Sequence, residues 1–62
     1  MKSLAQKLAQ CEGLIDTTDL NPFENGFLKG VTDTVRERGG DTTRLSEKQV
    51  DVIERIYGKH FA

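Results

Sequence analysis

Leu45-Ser46-Glu47-Lys48-Gln49-Val50, running on through Asp51 to Phe61, is a helix start written out in full, and it decides the fold class. Ser46 is a favoured N-cap whose hydroxyl can accept a bond from an otherwise unpaired N–H of the first turn. Gln49, three residues on, can reach back to the Ser46 N–H and close a capping box. Leu45 before the cap and Val50 inside the helix form the apolar staple that sets the angle at which the chain enters. Val50, Ile53, Tyr57 and Phe61 then recur at three- and four-residue spacing, and Val52, Ile56 and His60 widen the apolar arc to roughly half the circumference. Gly58 is the one weak helix former in the run. The spacing predicts a helix over 47–60.

The same grammar appears twice upstream. Ser3 with Gln6 opens a helix over 3–12, with Leu4, Leu8, Cys11 and Ile15 as its stripe, Ala5 and Ala9 favouring the helix, and Gly13 placed to end it. Asp16-Thr17-Thr18-Asp19 reads as a polar connector. Asn21 is an N-cap, Pro22 suits the first helical position, and Glu24 stands at the capping-box position near the positive end of the helix dipole. Phe23, Phe27, Leu28, Val31 and Val35 form one face of this helix over 22–38, and Asn25, Lys29, Thr32, Asp33 and Arg36 the other. Gly39-Gly40 ends it, since glycine accepts the left-handed conformation, and Asp41 through Arg44 lead back to Ser46. The expectation is an all-α fold, a small three-helix bundle forming a single domain over 1–62. Helices two and three form its central antiparallel hairpin, and the first helix, with its narrow stripe at a chain end, is the weakest.

Length and composition exclude several classes. A chain of 62 residues supports one domain with a thin core. A single cysteine and a single histidine rule out an intrachain disulfide and a closed Cys/His zinc site. The lone thiol, with no signal peptide, points to a cytoplasmic setting, and no apolar run approaches membrane-spanning length. A formal net charge of −1 announces no nucleic-acid partner by bulk charge.

Reactive chemistry is sparse. His60 lies at the edge of the apolar arc with no partner named for general-base work, and reads as a half-buried or dipole-compensating residue. Cys11 sits on an apolar stripe and reads as a small buried hydrophobe. Glu12, Asp16, Asp19 and Glu24 lack the spacing of a calcium loop. Neither catalytic residues, metal nor cofactor is expected, and the chain reads as non-enzymatic. Gly26 and Gly30, one turn apart inside a helix, imply close approach of another helix, or else a smooth patch for a ligand backbone or second chain.

Charge on the third helix is segregated. Glu47, Asp51 and Glu54 occupy one edge of its polar face, and Lys48, Arg55 and Lys59 the other. An antiparallel hairpin would gather Arg36, Arg38, Arg44 and Lys48 at one end, where they could hold phosphates. Glu37, Asp41 and Glu47 dilute that cluster, so the residues alone favour a solvated face with an Asp51–Arg55 pair. Aromatics for base stacking are expected to be missing, because Phe23, Phe27, Tyr57 and Phe61 all fall on apolar faces.

The stretch from Leu20 through Leu28 (Leu-Asn-Pro-Phe-Glu-Asn-Gly-Phe-Leu), followed by Leu45-Ser46-Glu47-Lys48-Gln49 and by Val52 through Tyr57, resembles a two-helix segment common in phage proteins. It occurs alone or attached to replication and recombination proteins. It is similar to the family of small helical proteins encoded beside the UvsW-type helicase of T4-like phages, which are associated with single-stranded DNA. The similarity covers about two-thirds of the chain and omits the first helix. The resemblance implies an accessory role in DNA replication or recombination in the cytoplasm of an infected bacterial host, with Lys48 and Gln49 as candidate functional positions. Two readings stand. One is weak single-stranded nucleic-acid binding through Arg36, Arg38, Arg44, Lys48, Arg55 and Lys59. The other is a protein-interaction module that docks on a host or phage enzyme, such as a replication protein, through apolar surface of the first helix and the Gly26/Gly30 face. Oligomeric state is open.

Overall fold

The computed structural model describes residues 2–61; the two terminal positions of the expected 1–62 domain lie outside the described residues. Three helices are present, α1 (Leu4–Glu12), α2 (Pro22–Glu37) and α3 (Glu47–Phe61), and they pack as a small three-helix bundle. Each opens with the same device. The Gln6 N–H donates to Ser3 Oγ at 3.2 Å while the Ser3 N–H donates to Gln6 Oε1 at 2.8 Å. Asn21 and Glu24 repeat the exchange at 2.8 and 3.1 Å, and Ser46 and Gln49 at 3.2 and 2.9 Å. Each box satisfies two backbone donors that a helix start leaves unpaired.

Small differences at the ends follow from cap geometry. Ser3 is extended (ψ 164°), so α1 begins at Leu4 rather than at residue 3. Arg38 serves as the C-cap of α2, which therefore ends at Glu37. Gly39 and Gly40 adopt φ of +68° and +88°. The Gly40 N–H donates to the Val35 carbonyl at 2.8 Å and the Gly39 N–H to that of Arg36 at 3.1 Å, the double bond pattern of a Schellman stop. α3 continues one residue beyond 60, to Phe61.

The end of α1 differs more. Gly13 is its C-cap but stays right-handed (φ −64°), and the left-handed residue is Asp16 at φ 64°. Aspartate tolerates that conformation better than most residues, and α2 holds it there. The Asp16 N–H donates to Asn25 Oδ1 at 2.7 Å, Asn25 Nδ2 donates back to Asp16 Oδ1 at 3.1 Å, and Lys29 Nζ lies 2.7 Å from the same carboxylate. The Lys29 and Asn25 hydrogen bonds hold the Asp16 carboxyl below its usual value.

The core is one cluster drawn from all three helices and the first connector: Leu8, Cys11, Leu20, Leu28, Val31, Val35, Ile53 and Ile56. The weight of the packing falls differently from the expectation that α2 and α3 form the central pair. α1 packs most extensively on α3, next on α2, and α2 and α3 touch over the shortest contact of the three. The physical reason is that Leu8 and the fully enclosed Cys11 fill the space between the longer helices. Ion pairs reinforce the placement. Lys7 Nζ lies 2.8 Å from Glu54 and 5.5 Å from the centre of the Tyr57 ring, and Arg36 lies 2.7 Å from Glu12. Far from being the weak element, α1 is the wedge. α2 and α3 are tied to each other by Lys59, 3.5 Å from the nearly buried Glu24 carboxylate.

The buried stripe of α2 is Glu24, Leu28, Val31, Thr32 and Val35. Compared with the expected face, Glu24 and Thr32 replace Phe23 and Phe27, a rotation of about 50° at 100° per residue. Phe27 becomes half-buried and Phe23 is left 68% exposed. The expected close approach at Gly26 and Gly30 is also absent, since a Cβ built at either meets nothing within 4 Å. Among the described residues nothing there calls for glycine.

Two outcomes follow. Leu8→Ala removes a wedge residue and should cost about 2–4 kcal/mol, most of what a core this size supplies. Urea unfolding should then show loss of all three helices together; a circular dichroism loss matching only the nine residues of α1 would contradict the packing described. Gly26→Ala and Gly30→Ala should each raise stability by up to about 1 kcal/mol, read as a higher urea midpoint, whereas a lower midpoint would mean that a close neighbour covers that surface.

Candidate nucleic-acid interface

The rotation of α2 has a direct consequence for the surface. Phe23 stands on the first turn of α2, fixed by the Asn21–Glu24 capping box on either side of it. Its ring stacks on Phe27 with centroids 6.4 Å apart and planes inclined by 21°. The two rings form one wall of a groove of about 680 Å³ whose other wall is the first half of α3, with Ser46, Lys48, Gln49, Asp51, Val52 and Arg55. The expectation that no aromatic is free for stacking is therefore overturned at Phe23, and at Phe61, which is 42% exposed and stacks on Tyr57 at 5.6 Å. A three-helix core this thin cannot cover the whole apolar arc of α2, and the first-turn aromatic is the one left outside.

The six expected cations do not converge. Lys48 and Arg55 line the groove together, seven residues and about 10 Å apart along α3. Arg36 lines a different depression, between α1 and the glycine stop of α2, and its guanidinium is shared between Glu12 at 2.7 Å and Asp33 at 3.3 Å. Lys59 is engaged with Glu24. Arg38 caps α2 and Arg44 precedes α3, both exposed and neither lining the Phe23 groove. Of the six, Lys48 and Arg55 alone line this groove. Among the described residues Lys48 makes no ion pair, while Arg55 lies 3.2 Å from Asp51 one turn back. Gln49 also lines the groove while its Oε1 accepts from the Ser46 N–H in the cap.

The remaining candidates separate cleanly. Cys11 is fully enclosed, and burial first, then the charge of Glu54, pushes its thiol up from the ordinary value. A raised value favours the protonated, unreactive form, and its share of stability is present below the unfolded-state value of 9.0 and lost as pH climbs through the folded one. His60 is half-buried with Nε2 enclosed and unpartnered among the described residues, a poor arrangement for proton transfer. Asp41 serves the loop before α3, accepting from the Thr43 hydroxyl at 2.6 Å and the Thr43 N–H at 2.8 Å, which holds its carboxyl low. No group of three or more His, Cys, Asp or Glu is placed to hold a metal ion, and no helix is long and apolar enough to cross a membrane, both among the described residues.

Sequence reasoning missed Phe23 because it weighed each apolar residue of α2 equally. No local signal separates Phe23 from Glu24, since the same capping box in α1 leaves Gln6 exposed.

What the arrangement offers chemically is a flat exposed ring, an apolar floor and two cations about a helical turn either side of Val52. Comparison with protein-family models, with curated proteins and with solved structures finds no match to this chain.

Proposed function

We propose that this protein is a small, non-enzymatic accessory module of phage DNA replication or recombination that binds single-stranded nucleic acid weakly through the groove between α2 and α3. The observation that carries the reading is the exposed Phe23 ring, stacked on half-buried Phe27, facing Lys48 and Arg55 across one groove. Single strands are held by this combination: a ring accepts an unstacked base, and nearby cations neutralise the backbone on either side. Duplex DNA keeps its bases stacked and offers the ring nothing. The resemblance of the Leu45–Gln49 and Leu20–Leu28 stretches to phage replication-associated proteins supports the same assignment, and sets it in the cytoplasm of an infected bacterial host.

Weakness is built in. Only Lys48 and Arg55 of the six basic candidates line the site, and the net charge of −1 supplies no long-range attraction. The competing reading, a protein-interaction module, loses the apolar stripe of α1, because Leu8 and Cys11 are core residues, and keeps the open Gly26/Gly30 face. It retains the groove as an apolar surface, and the two readings part on salt dependence and on strand selectivity.

Fluorescence anisotropy with a labelled oligothymidylate at low salt should show saturable binding. The slope of log affinity against log salt should lie between about −0.7 and −1.4, for one to two neutralised phosphates. Phe23→Ala should weaken binding at least about fivefold, from loss of one stacked base, with little change in helicity because the ring is mostly exposed. Arg36→Gln, outside the groove, should leave affinity unchanged. Equal affinity for Phe23→Ala and the parent protein, or an Arg36→Gln variant that binds worse than Phe23→Ala, contradicts this assignment. Absence of any binding, with recovery of a protein partner that Phe23→Ala abolishes, would transfer the groove to the protein-interaction reading.

A further inference from the structure

We infer that Asp51 is an internal competitor for the phosphate site, occupying Arg55 until a strand displaces it. The inference rests on the nucleic-acid reading of the groove. Arg55 Nη2 lies 3.2 Å from Asp51 Oδ2, and both side chains line the same groove as Phe23 and Lys48. A carboxylate and a phosphate oxygen ask for the same guanidinium donors, so a phosphate can reach Arg55 fully only when Asp51 lets go. Both groups are largely exposed, with side chains 77% and 58% accessible, so the pair opens readily. Asp51 thus acts on the site twice, by masking one of the two cations and by placing a negative charge where the backbone must pass.

The other cation pairs of the molecule show why this one differs. Glu12 holds Arg36 against α1, and Glu24 holds Lys59 while capping α2. Those acids join elements, and neither lines the Phe23 groove. Asp51 and Arg55 sit one turn apart on the same helix, tie nothing together, and flank the exposed ring's groove. The pair therefore tunes affinity: Lys48 alone stands ready, and Arg55 joins as the strand seats. Binding stays weak and reversible, as an accessory protein that must leave the strand requires.

Oligothymidylate binding by Asp51→Asn, Arg55→Gln and the double variant tests the inference. Asp51→Asn should bind about threefold tighter, with its salt slope moving toward about −1.4 as the second contact becomes permanent. In the Arg55→Gln background the same change should give little gain, because no guanidinium remains to be released. Binding by the parent protein with no gain for Asp51→Asn, or a gain undiminished by Arg55→Gln, overturns the inference and leaves the groove assignment standing. If neither the parent nor Asp51→Asn binds while both remain helical, the groove assignment fails and the inference falls with it.

Discussion

Among the described residues, eight apolar side chains buried in one cluster hold the bundle together, and the rest of its structure answers to how few they are. A core of that size supplies only a few kcal/mol, so no helix can stand aside. α1 contributes Leu8 and Cys11 as a wedge, and α2 buries Glu24 and Thr32 beside Leu28, Val31 and Val35. Glu24 is tolerated inside because both its oxygens are engaged, one by the Asn21 N–H and one by Lys59. With Glu24 inside, Phe23 on the same first turn is left outside. One packing constraint thus produces both the core and the exposed ring.

Local structure was legible in the sequence to the level of single hydrogen bonds. The Ser3, Asn21 and Ser46 capping boxes, the Gly39-Gly40 stop and the burial of Cys11 were readable because each depends on neighbours a few residues away. The helix rotation was not. Whether Phe23 or Glu24 faces inward is decided by how the other two helices pack on α2, with Lys59 of α3 taking the Glu24 carboxylate, and nothing local to α2 announces it. The same non-local cause removed one of the two readings of Gly26 and Gly30, the close helix neighbour that the bundle does not place there. The placement of Arg36 escaped the sequence for a related reason. Linear proximity of Arg36, Arg38, Arg44 and Lys48 suggested one patch, but Arg36 is drawn to Glu12 across the α1–α2 seam.

Charge in this bundle serves two purposes that sequence alone does not separate. Lys7–Glu54, Lys29–Asp16, Arg36–Glu12 and Lys59–Glu24 each join different segments and compensate for a thin core. Each surface pair is worth little by itself, and together they fix orientation more than they add stability. Lys48, and Arg55 with its local Asp51, are left over from that task. They lie beside the aromatic pair that packing also left over, and the proposed function is confined to that juxtaposition.

The most direct measurement is a chemical-shift map of the isotope-labelled protein titrated with a single-stranded oligonucleotide at low salt. The account predicts dose-dependent shifts at Phe23, Phe27, Lys48, Val52 and Arg55, fading as salt is raised, with the α1 amides and Arg36 undisturbed. Shifts centred on Arg36 and the α1 surface, or no shifts at all, would contradict it.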